Sequence, residues 1–185
     1  MYEILESSVR DTFGSVVWSH KIQEKQADIC SQHYKRLETM KIIAASITTV
    51  GIISLIFQDE LWIKIAAAIV SLVSTFISAF FKSFDLKAMT SQHKQTANSL
   101  LEIRDELKLL LLQIHLQTED EQALYNQYEA LVRQLDTVYK DAPSTTEKAV
   151  GMARTALQIS KDNDITDKEI DLSLPIALRK GAGKE

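Results

Sequence analysis

The chain has few of the residues that interrupt helices or form cross-links. Its 185 residues include one cysteine, two prolines and five glycines. The single cysteine, Cys30, excludes an internal disulfide and a cysteine-rich zinc site. Both prolines, Pro143 and Pro175, lie toward the C-terminal end. Because helix breakers are so scarce before Asp141, the composition predicts an all-α protein.

The sequence also lacks the motifs of common enzyme chemistry. It has no glycine-rich phosphate loop, no nucleophile elbow and no histidine paired with a carboxylate at metal-ligand spacing on one helix. Its histidines, His20, His33, His93 and His115, are scattered, and we interpret them as structural or surface residues rather than regulatory or ligand groups. A formal charge of −4 without a concentrated basic face argues against nucleic-acid binding. We therefore expect no enzyme, cofactor, metal site or nucleic-acid partner.

Two uncharged apolar runs are the strongest positive feature. Residues 42–57 read IIAASITTVGIISLIF, residues 65–81 read IAAAIVSLVSTFISAFF, and the loop QDELWIK at residues 58–64 joins them. The pattern predicts a transmembrane helical hairpin. The first run is short, since its 16 residues reach about 24 Å against roughly 30 Å of hydrocarbon, so flanking lysines must extend to the membrane surface. The alternative is a hairpin buried in a soluble bundle, but such a helix usually keeps a polar stripe, whereas neither run has a charged position.

Basic residues near the runs predict their orientation. They lie outside the hairpin loop, at Lys35, Arg36, Lys41, Lys82, Lys87 and Lys94. The loop holds only Lys64 against Asp59 and Glu60. Because cytoplasmic loops are enriched in Lys and Arg, both termini are expected in the cytoplasm, and the first run is expected to act as its own signal anchor. The same cations are expected to attract anionic membrane lipid, with a specific anionic ligand site as the alternative.

After the second run, apolar residues recur at alternating steps of three and four, which is typical of a helix with one packed seam. This seam comprises Leu86, Met89, His93, Thr96, Leu100, Ile103, Leu107, Leu110 and Ile114. Because no Gly or Pro occurs from Lys82 to Leu116, we expect this helix and the second run to form one continuous rod. A capping box at Thr118 and Glu121 starts a return helix. Its seam comprises Leu124, Tyr128, Leu131, Leu135 and Val138.

This cytoplasmic hairpin cannot bury all of its own leucines. The run from Leu109 to Leu112 is apolar around most of the helix circumference, so a third helix or a second subunit is needed. The third helix is expected from the N-terminus, after a break at Gly14. Its seam comprises Ile22, Gln26, Ile29, His33, Leu37 and Met40, and a short amphipathic helix before the break carries Tyr2, Leu5, Val9 and Phe13.

These assignments predict a membrane hairpin whose legs continue into a coiled-coil-like cytoplasmic bundle, here called the stalk. The expected segments are N-terminal cytoplasmic helices (1–41), the first span (42–57), the extracytoplasmic loop (58–64), the second span (65–81), the cytoplasmic helical hairpin (82–141), and a linker, short helix and polar tail (142–185). Ser144 and Glu147 are expected to cap the short helix, which ends near Ser160. The tail from Lys161 is expected to be loosely ordered.

The spans carry small and hydroxylated residues at helical spacing. In the second span, Ala67, Ser71, Thr75 and Ala79 are each four apart, and Ser71, Ser74 and Ser78 form a neighbouring stripe. The first span contributes Thr48 and Thr49. Such residues either let helices pack closely or line a pore. Because two helices are too thin to enclose water, a channel requires a homo-oligomer.

The arrangement resembles the SLATT family, the SMODS and SLOG-associating two-transmembrane effectors of bacteria. The likeness covers residues 15–140 and rests on the N-terminal helix, the run IIAASITTVGIISLIF, the loop QDELWIK, the run IAAAIVSLVSTFISAFF, and the long helix with its return helix. It implies an inner-membrane effector of antiphage defence that a nucleotide second messenger or a sensor protein activates. Family members are expected to assemble into pores and cause abortive infection.

The leading hypothesis is therefore a membrane effector that oligomerises through its stalk and conducts ions or disrupts the inner membrane when activated. The alternative is a membrane-anchored assembly module that recruits a cytoplasmic partner without conducting. Conductance and toxicity that depend on the spans distinguish the two.

Overall fold

A computed structural model describes residues 2–57, 61–83, 85–117, 120–162, 166–175 and 179–180, and only the backbone of residues 50–57 and 81–83. These residues form helices and no strands, as the composition predicted. The elements are α1 (Tyr2–Phe57), α2 (Leu61–Ser83), α3 (Leu86–Leu116), α4 (Glu121–Asp141), α5 (Glu147–Arg154), which continues into a π-helical turn (Thr155–Ile159), and α6 (Asp167–Ser173). Helix α1 packs against α2, α3, α4 and α5.

Helix α1 is unbroken, so the predicted break at Gly14 is wrong. Its 56 residues extend about 84 Å. Glycine inside a helix costs only about 1 kcal/mol relative to alanine. On either side of Gly14, Val9 and Val16 are fully buried in the stalk core. The packing of these flanking side chains outweighs the helix propensity of a single glycine.

The predicted continuous rod of second span and stalk is also wrong. Helix α2 ends at Ser83 and α3 begins at Leu86. Asp85 has non-helical dihedral angles (φ −76°, ψ 76°), and its Oδ1 accepts a hydrogen bond from the Ala88 N–H at 2.8 Å. An aspartate that satisfies a free backbone donor starts a new helix without any help from glycine or proline.

The part of the stalk farthest from the apolar runs is a three-helix bundle of α1, α3 and α4. Of the predicted α3 seam, every position except Met89 is buried. In α4, Leu124, Leu131 and Leu135 are buried, while Tyr128 and Val138 pack partly buried against the same core. The third helix comes from the N-terminus, as expected, but the residues that fill the core are Leu5, Val9 and Val16 rather than the predicted seam that begins at Ile22.

Tyrosines of α4 also fix the spacing between α4 and α1. The hydroxyl of Tyr128 lies 2.8 Å from Thr12 Oγ1 and donates to the Ser8 carbonyl at 3.3 Å. The hydroxyl of Tyr139 lies 2.9 Å from Ser19 Oγ. These contacts hold α4 against α1 along much of its length.

Below the bundle, α1 packs through a different set of residues from the predicted seam. Gln26 and Ile29 are buried as expected, but His33 and Met40 are exposed. Three residues outside that seam, Gln23, Ala27 and Cys30, are buried instead. A polar residue such as Gln23 is buried here because it has hydrogen-bond partners, which a hydrophobic pattern does not register.

Those partners form a buried polar cluster that ties α3 and α5 to α1. The Nδ1 atom of His93 lies 2.6 Å from Gln23 Oε1, and Gln23 Nε2 donates to the Pro143 carbonyl at 3.2 Å. Gln26 Oε1 accepts from the Thr146 N–H and hydroxyl at 2.9 and 2.8 Å. Since an amide oxygen only accepts, Nδ1 carries the proton of a neutral His93 ring.

The C-terminal segment differs from expectation in two respects. Thr146, not Ser144, caps α5, since its Oγ1 accepts from the Ala149 N–H at 3.4 Å. Residues 167–173 form α6, so this part of the tail is helical rather than loosely ordered, with a capping box of Thr166 and Glu169. Helix α4 begins after Asp120, and the predicted cap residue Thr118 lies outside the described residues.

Gly14→Ala is expected to stabilise the protein by about 0.5–1 kcal/mol, because alanine is the better helix former. A Cβ at this position meets no atom within 4 Å. Chemical denaturation of the full chain in mild detergent measures the effect. Gly14→Pro is the matched opposite and is expected to cost about 3 kcal/mol. A loss of stability in Gly14→Ala would show that α1 does not pass straight through this position.

The free energy of unfolding is expected to fall as the pH drops below about 6.5. Burial lowers the pKa of His93. It also lowers the pKa of His20, where burial is the largest of several causes. At a pH between the lowered pKa of the folded state and the ordinary pKa of the unfolded state, the unfolded chain binds more protons than the folded chain. Each histidine then lowers the free energy of unfolding by at most about 1.4 kcal/mol for each pH unit of acidification.

Denaturation of the full chain at pH 5 to 8 measures this slope, with His93→Gln as the test variant and the exposed His33→Gln as its control. His93→Gln is expected to reduce the slope, and His33→Gln to leave it intact. Equal slopes in wild type and His93→Gln would contradict a neutral, buried His93.

Candidate membrane-spanning region

One end of the molecule exposes a continuous apolar surface. On α1 it comprises Met40, Ile42, Ile43 and Ile47, each 52–62% exposed. On α2 it comprises Leu61, Trp62, Ile65, Ile69, Leu72, Val73, Phe76 and Phe80. Single exposed apolar residues are common on soluble proteins, but a continuous surface of this kind marks a membrane or protein contact.

Within the part of the chain that the structure describes, one helical segment is long and apolar enough to cross a membrane, Leu61–Phe80. The first predicted span is helical as far as Phe57, but its side chains from Val50 onward lie outside the described residues. The structure therefore describes the surface of the second span along nearly its whole length.

Helix α2 has three distinct faces. The first packs toward α1 and holds the least exposed residues, which alternate at steps of four and three: Ile63, Ala67, Val70, Ser74 and Ile77. The second carries the large exposed side chains, including Ile65, Ile69, Leu72 and Phe76. The third carries small and hydroxylated residues. At about 100° per residue, the centres of the three faces lie roughly 120° apart.

The third face, here called the hydroxyl stripe, consists of Ser71, Thr75 and Ser78. All three are exposed, and their spacing of four and three residues keeps them on one side of the helix. Continuing the same spacing in both directions reaches Ala68 and Lys64 at one end and the position of Lys82 at the other. Sequence reasoning did not connect Lys64 to the hydroxyls, although counting in heptads from Lys64 reaches Ser71 and Ser78.

The structure divides both predicted stripes. Ala67 and Ser74 lie on the face toward α1, while Ser71, Thr75 and Ser78 lie together on the exposed third face. Steps of exactly four residues drift by about 40° each, so a line of such steps crosses from one face to another. On α1, Thr48 is half-buried and Thr49 is exposed, so these two residues do not share a face.

The threonine hydroxyls of the two spans donate hydrogen bonds within their own helices. Thr75 donates to the Ser71 carbonyl at 2.9 Å, Thr48 to the Ala44 carbonyl at 2.9 Å, and Thr49 to the Ala45 carbonyl at 3.0 Å. A hydroxyl bonded one turn back along its own helix avoids the cost of an unpaired polar group in hydrocarbon. Ser74 differs, since its buried Oγ has no hydrogen-bond partner among the described residues.

The contact between α1 and α2 combines small side chains, such as Ala44 and Ala67, with branched ones, such as Ile77. Ala44 on α1 and Ile77 on α2 are each 8% exposed and are the buried residues of the described apolar segments. Small residues let two helices approach closely, and dispersion between the closely packed atoms then holds the hairpin together. This contact occupies the first face of α2 only.

Charged residues mark the ends of the apolar surface. Lys35, Arg36, Lys41 and Lys87 are exposed at the end nearest the stalk, and the side chain of Lys82 lies outside the described residues. Trp62, 68% exposed, lies at the opposite end of α2. Tryptophan is enriched at membrane–water interfaces, and lysine and arginine on the cytoplasmic side.

Two arginines of the stalk are paired with carboxylates of their own helices. Arg104 Nη2 pairs with Asp105 at 2.7 Å, and Arg133 Nη2 with Glu129 at 2.7 Å. Tyr128 and Tyr139, the aromatic residues of the same surface, are hydrogen-bonded to α1. Among the described residues, no group of three or more His, Cys, Asp or Glu is placed to hold a metal ion.

Residues 5–169 match the family described as SMODS and SLOG-associating 2TM effector domain family 4. Comparisons with curated proteins and with solved structures find no match. The family is not a known enzyme family, and it groups antiphage-associated membrane effector domains. Since the match covers most of the chain, the protein belongs to this SLATT family, as its resemblance implied.

Proposed function

We propose that this protein is an effector that oligomerises in the bacterial inner membrane and opens a conducting assembly when it is activated. The hydroxyl stripe of Ser71, Thr75 and Ser78 is the observation that carries this proposal. It lies on a helix whose other two faces have clear occupants. The large apolar face suits lipid, and the face with Ile77 packs against α1.

The stripe is poorly suited to lipid because it offers little apolar area. In a membrane, small and hydroxylated faces are covered by other helices or by water. The lysine positions 64 and 82 in the same register place a cation at each end of the stripe. Several copies arranged with their stripes toward a common axis therefore enclose a weakly polar lumen.

The proposed mechanism is a change between two packings. In the resting state the stripe packs against a neighbouring subunit, and in the active state it faces the lumen. Residues 42–57 and 65–81 contain no Asp, Glu, Lys, Arg or His, so conduction passes along hydroxyls without an ionisable relay. Dissipation of ion gradients is sufficient to arrest an infected cell.

Ser74 has a separate role in this proposal. In the monomer its hydroxyl is buried on the α1 side with no partner in the described part of the chain, so it does not contribute to the lumen. This arrangement replaces the hypothesis that Ser71, Ser74 and Ser78 act as one lining. A small rotation of α2 against α1 exposes Ser74 or gives it a partner, which makes this contact a place where the two packings differ.

The proposed trigger is a sensor protein that binds the stalk, with a nucleotide second messenger acting through that sensor. The paired arginines and hydrogen-bonded tyrosines described above favour this route over direct nucleotide binding. The assembly is anchored with both termini in the cytoplasm, where the stalk meets the sensor.

The double variant Ser71→Leu/Ser78→Leu is expected to insert normally and to lose conductance in a planar bilayer, because leucines fill and dry the lumen. The matched control is Leu72→Phe/Val73→Leu, which adds bulk to the large apolar face and is expected to conduct like wild type. Current is recorded from purified full-length protein, with co-purified sensor where the chain alone is silent.

Wild-type conductance in the Ser71→Leu/Ser78→Leu variant would exclude the stripe as the lining. Silence of the wild-type protein in verified membranes, with and without the sensor, would contradict the conducting function. That result would favour the membrane-anchored assembly module.

A further inference from the structure

The stalk has an apolar face that its own helices leave uncovered. Leu109, Leu112 and Leu116 on α3 are 62%, 53% and 59% exposed. Their spacing places them on one side of the helix, opposite the core side that holds Leu107, Leu110 and Ile114. We call these three exposed residues the leucine face.

The leucine face continues a side of α3 that is otherwise polar. Toward the membrane, the same side carries Lys94, Asn98 and Asp105, all exposed. Three leucines at the end of a solvated stripe are therefore a local feature rather than a property of the whole helix. The third helix that sequence reasoning required, α1, covers part of Leu111 but leaves Leu109 and Leu112 uncovered.

Lipid is not the occupant of this face. Leu109 lies 23 residues beyond Leu86, the first residue of α3 after the second span. At 1.5 Å per residue this separation is about 35 Å along the helix axis, which exceeds the depth of a headgroup layer. An apolar surface that far from the membrane is covered by protein.

The flanks of the leucine face carry opposite charges. On the side toward α1 lie Lys108 and His115, which border a groove of about 930 Å³. The acidic residues of this groove, Glu6 and Asp105, are paired with Arg10 and Arg104 at 3.5 and 2.7 Å, which leaves Lys108 as its unbalanced charge. On the side toward α4 lie Glu102 and Glu106, and Glu106 borders a second groove against α4. Two parallel copies that bring their leucine faces together place the basic flank of one beside the acidic flank of the other.

We infer that the leucine face is where a second copy of this chain docks in the assembly. The inference rests on the proposed function, because insertion in one membrane gives all copies the same orientation. Confinement to the membrane also raises the effective concentration, so a small apolar contact suffices. The charged flanks fix the register, and the stalks then hold the α2 hydroxyl stripes at a common axis.

Energy transfer between donor- and acceptor-labelled full-length chains in liposomes measures this contact as lipid is added to dilute the protein. Leu112→Lys is expected to weaken association about tenfold or more, because it removes a leucine that becomes buried when two copies associate and puts a charge in its place. Ile159→Lys is the matched control, since Ile159 is 75% exposed and lies outside the leucine face. It is expected to associate like wild type.

A charge exchange identifies the occupant as a second copy. Lys108→Glu and Glu106→Lys are each expected to weaken association several-fold. The double variant Glu106→Lys/Lys108→Glu is expected to restore it, because each copy then presents exchanged flanks to an equally exchanged neighbour. The four substituted residues, Glu106, Lys108, Leu112 and Ile159, are all exposed, so folding is preserved.

Each outcome decides between named statements. If wild-type chains associate and the Leu112→Lys variant associates equally well, the leucine face is not the contact, and the proposed function is unaffected. Failure of the double variant to recover would overturn the pairing of the charged flanks and, with it, the parallel register inferred for the two copies. Wild-type chains that stay monomeric in liposomes would contradict assembly itself, and with it the proposed function.

Discussion

The continuity of α1 is the constraint on which the rest of the structure depends. This one helix runs from the tip of the stalk to the end of the first apolar run, and α2, α3, α4 and α5 all pack on it. Its two halves meet different surroundings. The N-terminal half buries Val9 and Val16 in a protein core, whereas the C-terminal half exposes Ile42 and Ile47. A helix is the only element that keeps its backbone satisfied in both environments without a break.

Because α1 is continuous, a change at one end has a direct physical route to the other. The polar cluster of Gln23, Gln26 and His93 lies between the stalk bundle and the apolar end, and it ties α3 and α5 to α1. The separate α3, which Asp85 starts anew, leaves a joint between stalk and second span. In the proposed mechanism, a sensor that shifts the bundle rotates α2 against α1 at the contact where the Ser74 hydroxyl has no partner among the described residues.

Sequence reasoning succeeded where apolar residues follow the helical period. The α3 seam from Leu100 to Ile114 and the need for an N-terminal third helix were predictable, because their burial depends on hydrophobic spacing alone. It failed at Asp85, where a cap rather than glycine or proline ends the helical run, and at Gly14, where packing overrides propensity. The His93–Gln23 pair joins residues 70 positions apart and leaves no periodic signal. For the two predicted stripes of α2, only the packing against α1 shows which hydroxyls stay exposed.

The membrane hairpin itself is tested by measuring from which side its loop is reached. A Cys30→Ser background removes the native thiol, and single cysteines at Trp62→Cys and Glu102→Cys then report the loop and the stalk. With a membrane-impermeant thiol reagent on intact spheroplasts, Trp62→Cys is expected to react, while Glu102→Cys reacts only after lysis. Labelling of both positions only after lysis, with the protein in the soluble fraction, would contradict a chain that crosses the membrane twice.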